Sequence, residues 1–269
     1  MKLKPLALLM SCVLTCTASA QLIVGFDLVR GGTYNLQAQT SLQAAIRAAL
    51  PSATFGFSSS LDSGILNGAR GVVIMSPIDN INPISALTPS EQAALRAFIL
   101  SGGSAIIATD AGYIPSFDVT NASFVSQFGL TVTGTDYTTL TMINPTGNPI
   151  TNGPFGLVTS MTGIAAGPYT TVPTNYLPLG RLSPGVAGAG YFALGSLGAG
   201  SGAVLFLSDA NTINSGWAAP SNYNLVSNFA AYAAVPEPST VGLMLVGLGL
   251  AGGLAVRRAR HLRLVRITS

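Results

Sequence analysis

Apolar runs and helical stripes alternate along most of this chain. Residues 22–26, 53–57, 71–75, 105–109 and 203–207 are short apolar runs, most of them unbroken, and several are bounded by Asp, Ser, Pro or Gly. Runs of that length without polar alternation predict strands buried on both faces. Between them lie helical patterns. Leu42, Ala45, Ile46 and Ala49 form one stripe, and Pro51 ends it. Thr88, Pro89, Ser90 and Glu91 supply an N-cap, a first-turn proline and a capping-box glutamate. Ala94, Leu95, Phe98 and Ile99 give that helix its apolar face, and Gly102 and Gly103 stop it. Residues 121–128 predict a short helix and 130–133 a strand. Residues 222–233 predict a closing helix with Leu225, Val226, Phe229 and Tyr232 on one side.

Strands alternating with helices predict an α/β fold: a mostly parallel sheet with helices on both faces, a three-layer arrangement. Residues 136–199 are rich in Thr, Gly, Pro and Asn. They read as edge strands and long loops, and the Gly/Ala-rich stretch 185–202 reads as loop.

The two ends follow other rules. Lys2 and Lys4 precede an apolar stretch, and Ala18, Ser19 and Ala20 form a small-x-small site before Gln21, so residues 1–20 read as a secretory signal peptide. Such a segment implies the Sec export machinery. At the other end, Pro236, Glu237 and Pro238 precede an uncharged stretch, 239–256, and then Arg257, Arg258, Arg260, His261, Arg263 and Arg266. About 18 uncharged residues span roughly 27 Å as a helix, close to the ~30 Å hydrocarbon core. The arginines stay on the cytoplasmic side. Residues 21–234 are left as one exported domain, with 235–269 as a sorting and anchor segment.

Order, spacing and position of the tail resemble the PEP-CTERM sorting signal. That resemblance implies a Gram-negative source, anchoring in the inner membrane through a transmembrane helix, an exosortase-type membrane enzyme as processing partner, and exopolysaccharide as an associated material. After processing, the protein reaches the cell surface or the medium.

Composition then narrows the chemistry. Cys12 and Cys16 both lie in the signal peptide, and the only histidine is His261. Domain 21–234 therefore has no cysteine, histidine or lysine. It lacks a thiolate nucleophile, a thiolate metal site and the usual bases that activate serine. The pI of about 9.0 comes from the two ends. Between Gln21 and Pro238, five arginines face nine acids, a net charge of −4. A nucleic-acid partner has no electrostatic support there.

In an open α/β sheet, ligands bind beyond the carboxyl ends of the strands. Asp27, Ser76, Asp110, Gly112, Ser208 and Asp209 fall there and form the candidate ligand cleft. Asp27, Asp110 and Asp209 have two readings: a carboxylate cluster for Ca²⁺, Mg²⁺ or acid/base work, or caps of the turns that follow each strand. The commoner role is capping, so no metal, no cofactor and no catalytic residue is assigned. Asn121, Ala122 and Ser123 form a glycosylation acceptor triplet. Trp217, Tyr223 and Tyr113 offer faces for a sugar, although aromatics beside a sheet edge more often belong to the core.

Residues 87–108 also resemble the helix, glycine turn and strand that precede the nucleophile elbow of class I glutamine amidotransferase-like domains. Residues 148–153 resemble a His-Pro-Ile-x-x-Gly element of non-catalytic relatives, and 203–209 with the closing helix resemble the family's last strand–helix unit. The resemblance implies a cysteine at the elbow and a later histidine. Here the elbow reads Thr109, Asp110, Ala111, Gly112, so that route to amide hydrolysis is closed. The expectation is a non-catalytic domain for binding or a structural role in the envelope or matrix. The alternative is a carboxylate-dependent hydrolase of polysaccharide or a related polymer.

Overall fold

The computed structural model describes residues 21–31, 34–75, 86–112, 115–162, 165–182, 185–234 and 248–249. The signal peptide, Ser76, Tyr113, Pro236, Glu237, Pro238, the 239–256 helix (Leu248 and Gly249 apart) and the arginine cluster lie outside them. Among the described residues, no helix is long and apolar enough to cross a membrane. The chain divides into two compact units, Met1–Ala233 and Ala234–Ser269; the fold that follows is that of the first.

The predicted apolar runs form a parallel centre. β1 (Gln21–Phe26), β2 (Ala53–Ser58), β3 (Ala69–Met75) and β4 (Ser104–Ala108) are followed by β5 (Thr131–Val132), β6 (Leu140–Met142), β7 (Asn152–Gly153), β8 (Gly156–Leu157), β9 (Ser160–Met161), β10 (Tyr169–Thr171), β11 (Leu177–Arg181), β12 (Ala187–Phe192) and β13 (Val204–Leu207). The helices are α1 (Leu28–Gly31), α2 (Thr40–Ala49), α3 (Ser63–Leu66), α4 (Pro89–Leu100), α5 (Pro115–Val125) and α6 (Pro220–Ala233). The main sheet has 11 strands, in the order β2-β1-β3-β4-β13-β12-β11-β6-β9, with β10 and β5 branching from β12. β2, β1, β3, β4 and β13 are mutually parallel. From β12 outward the pairing is antiparallel.

Alternation along each central strand explains why the runs are apolar throughout. Val73, Ile106 and Leu205 face α2 and α6, joining Leu42, Ile46, Leu225 and Phe229. Val72, Ile107 and Phe206 face the other way, joining Leu95, Phe98, Ile99 and Phe124 from α4 and α5. Each face is buried, so neither tolerates a polar residue. The capping box forms as expected: the Thr88 hydroxyl accepts from the Glu91 amide, and the Glu91 carboxylate accepts from the Thr88 amide.

Two expectations need correction. The stretch 185–202 contains β12, an interior strand with residues 188–192 buried. Its glycines are there for close packing: a Cβ at Gly188 would stand 2.5 Å from Leu140, and one at Gly190 would stand 2.3 Å from the Tyr176 ring. The helix expected at 121–128 begins six residues earlier, at Pro115, and ends in a 3₁₀ turn over Ser126–Phe128. A first-turn proline sets that start.

Candidate functional site

The carboxyl edge of the parallel strands holds two buried charge sites built on opposite principles. The first lies where the strand order reverses, between β1 and β3, the position at which doubly wound sheets bind ligands. Here the chain fills the place itself. Arg30, just beyond β1, is ion-paired with Glu91, the third residue of α4, and both side chains are under 10% exposed. The second guanidinium nitrogen of Arg30 reaches the other Glu91 oxygen at 3.1 Å and the Ala86 carbonyl at 3.3 Å. The first also donates to the Ser59 carbonyl at 3.0 Å. The guanidinium carbon lies 4.3 Å from the centre of the Phe26 ring. Glu91 accepts in addition from the Leu61 amide at 3.0 Å. The pair thus ties together the segments that leave β1, β2 and β3. Burial works against the Glu91 charge, yet the Arg30 hydrogen bond and the amides of Leu61 and Thr88 outweigh it and hold the carboxyl down at about 2.

The second site sets two carboxylates beside each other. Parallel register pairs Ala108 of β4 with Leu207 of β13, and the Thr109 amide carries the ladder on to the Leu207 carbonyl at 2.8 Å. Two residues past the Ala108–Leu207 pair, Asp110 and Asp209 stand side by side at the strand ends. They are 0% and 2% exposed. Asp209 is served by backbone: its carboxylate accepts from the Asn211 amide at 2.7 Å and the Ala165 amide at 3.1 Å. It caps the short turn Ala210–Thr212. Asp110 accepts from the Ala111 amide at 2.7 Å through one oxygen, while the other oxygen is buried without a hydrogen-bond partner. Burial raises the Asp110 carboxyl well above the usual carboxylate range, and the neighbouring Asp209 charge adds to the rise. The surroundings of Asp110 therefore favour its neutral form over its charged one.

Asn121 fixes that strand end. Its amide oxygen accepts from the Asp110 amide at 3.1 Å, and its nitrogen donates to the Asp110 carbonyl at 2.6 Å. A fully buried Asn121 with both amide atoms engaged is closed to glycosylation in the folded state.

Of the six cleft candidates, only Asp110 and Asp209 are brought side by side as acids. Asp27 belongs elsewhere: its carboxylate accepts from the Val29 and Arg30 amides, both at 3.0 Å, and caps α1. β1 is two strands away from β4. Ser208 lies beside the pair, with its amide on the Gly188 carbonyl at 2.9 Å and its hydroxyl buried without a partner. Gly112 packs under α5, where a Cβ would stand 2.2 Å from an Asp118 oxygen. Among the described residues, no group of three His, Cys, Asp or Glu could hold a metal ion. Trp217 is 62% exposed, while Tyr223 packs against the core. A groove of about 650 Å³ opens at the opposite edge, beside Gly68, Arg70, Phe98 and Gly102.

Sequence reasoning read Glu91 only as a cap and Asn121 only as a glycosylation acceptor, and passed over Arg30 and Asn228. Asn228 of α6 clamps the β7–β8 hairpin, accepting from the Phe155 amide and donating to the Gly156 carbonyl, both at 2.9 Å. The 148–153 element beside it is structural: Ile150 and Thr151 are fully buried. The scarcity of charge was the available signal for the Arg30–Glu91 pair, since few cations exist for any buried acid to meet.

The fold and site define a three-layer α/β domain whose strand-end acids serve as caps and buried pairs. Residues 234–260 match the PEP-CTERM protein-sorting motif, so the chain carries the address of an exosortase-sorted, exported protein. No curated protein matches it. Among solved structures, the mmIFT52 N-terminal domain is similar with a TM-score of 0.59 at 12% identity, over 81% of this chain and 98% of that one. A cytoplasmic protein of Salmonella typhimurium, STM3548, is similar with a TM-score of 0.51 at 9% identity, over 73% and 87%. A ThuA-like protein from Bacteroides uniformis gives 0.48 at 12% identity, over 81% and 93%. Identities this low speak to fold.

Proposed function

We propose that this is an exported protein, held in the inner membrane by its C-terminal segment and then processed there by an exosortase-type enzyme. Its α/β domain acts in the envelope or extracellular matrix by binding or as a structural element, without catalysis. The observation that carries this reading is the match of residues 234–260 to the sorting motif. The order β2-β1-β3-β4-β13 and the position of Thr109–Gly112 after β4 support an amidotransferase-like domain. Its elbow is relaxed as well as unarmed. A nucleophile elbow is a strained turn, whereas Asn144 is the only non-glycine residue with positive φ among the described residues. A carboxylate-dependent hydrolase draws support from the side-by-side placement of Asp110 and Asp209. Against it stands their burial, because an acid and a base that act on a polymer must reach it.

Intact-mass measurement of the exported protein, from a host with an exosortase and from one without, tests the reading. The expected result is loss of the segment after Pro238 only where the enzyme is present. An identical full-length mass in both hosts contradicts it.

A further inference from the structure

The parallel side of the sheet ends on β2, which among the described residues pairs only with β1. Six residues, Ala-Thr-Phe-Gly-Phe-Ser, form it, without charge or proline. Thr54 is exposed, and Phe55, Gly56, Phe57 and Ser58 are half-buried. Among the described residues, no side chain or loop hydrogen-bonds to the outward backbone groups of residues 54–57. Arg47 of α2 lies over the Phe55 ring, 4.6 Å from its centre, and so covers a face of the sheet rather than its edge. Natural edge strands of this length are shielded by charge, proline, a bulge or a covering segment. β2 carries none of the first three. The other end of the sheet is blunt, since β9 has two residues.

An open row of amides and carbonyls selects an extended strand as its partner. The helical layers restrict how a second copy can supply one. To keep α2 and α6 of both copies on one side of a joined sheet, residues of like facing must stand opposite each other. Phe55 and Phe57 face the α2 side, packed against the same core cluster, while Gly56 faces Val24 and Ile65 on the other side. The two-fold axis must therefore pass midway between a residue and its own copy. Centring it on Gly56 sets Phe55 opposite Phe57 twice, sets Thr54 opposite Ser58 twice, and leaves no ring on the axis. Aromatic cross-strand pairs are favourable, and no like charges meet.

We propose that β2 pairs antiparallel with β2 of a second copy of this chain, in a register centred on Gly56. The two sheets join into one, and because each copy has a single long free edge among the described residues, the contact closes as a dimer. The inference stands apart from the sorting reading: it rests on β2 alone.

Site-specific cross-linking of the full exported chain, extracted in mild detergent, tests it. The double variant Thr54→Cys/Ser58→Cys brings thiols opposite each other with Cα atoms about 4.5–5.5 Å apart, inside disulfide range. Within one chain the same two positions lie roughly 13 Å apart. The expected result is a covalent dimer from the double variant on mild oxidation, with no covalent dimer from either single variant or from the unsubstituted chain. A companion pair guards against misfolding. Thr54→Lys/Ser58→Lys and Thr54→Glu/Ser58→Glu should each be monomeric alone and associate when mixed. A double-cysteine variant that stays monomeric, single variants that cross-link equally well, or a mixture that fails to associate overturns the proposal.

Discussion

Arg30–Glu91 and Asp110–Asp209 occupy the same edge of the sheet, and both are buried, yet they keep charge there in opposite ways. Glu91 has a guanidinium and two backbone amides, so it stays ionised. Asp110 has backbone amides and an acid for a neighbour, and burial with that acid pushes its carboxyl up, towards the neutral form. A buried acid is thus tolerable by pairing or by neutralisation, and the surroundings decide which. The two sites also load stability onto opposite limbs of the pH range. The Glu91 carboxyl is depressed, so its contribution is present above its ordinary value near 4.5 and is lost as pH falls towards about 2. The Asp110 carboxyl is raised, so its contribution is full below the ordinary carboxylate range and is lost as pH rises through the folded value.

The largest effect is expected from breaking the first site on one side. Arg30→Met leaves Glu91 buried without its cation and should cost about 3–5 kcal/mol, read as a fall in urea midpoint at neutral pH. The loss should shrink in acid, where Glu91 takes up a proton. Next comes the backbone support of the second site. Asn121→Ala strips partners from the buried amide and carbonyl of Asp110 and should cost about 2–3 kcal/mol by the same assay. The smallest effect belongs to Thr88→Ala. It removes half of the capping box but leaves the Arg30 contacts of Glu91 in place, and a thermal melt should show a loss of about 1 kcal/mol. A Thr88→Ala loss as large as that of Arg30→Met would mean that the cap, rather than the ion pair, holds Glu91.

How far these sites could be read from sequence depends on the distance between partners. The central strands announce themselves through apolar runs, and α4 through a local cap-to-glycine grammar. Asp110 and Asp209 are legible at strand ends because each stands just past such a run, 105–109 and 203–207; their neighbourhood depends on strand order. The Arg30–Glu91 pair spans 61 residues and leaves no periodic trace. Asn121 carried a misleading local signal, since its acceptor triplet describes a surface site while the side chain is wholly buried. β12 was hidden because its glycines serve tight packing against Leu140 and Tyr176, and composition alone gives glycine-rich segments to loops. Asp27 shows the reverse error. It has the same strand-end position as Asp110, but its backbone turns at once into α1 and the carboxylate is spent as a cap.

The central claim is that the strand-end acids are structural and that the surroundings of Asp110 favour its neutral form. The most direct test is the thermal stability of Asp110→Asn beside the unsubstituted protein from pH 5 to pH 9. Asparagine retains the shape and cannot ionise. The margin of the variant over the parent should widen with pH, by up to about 1.4 kcal/mol per unit while folded Asp110 still holds the proton that the unfolded chain has released. A variant less stable by a constant margin at every pH, or a parent that gains stability as pH rises across this range, would contradict the account and show that the ionised Asp110 is the native form.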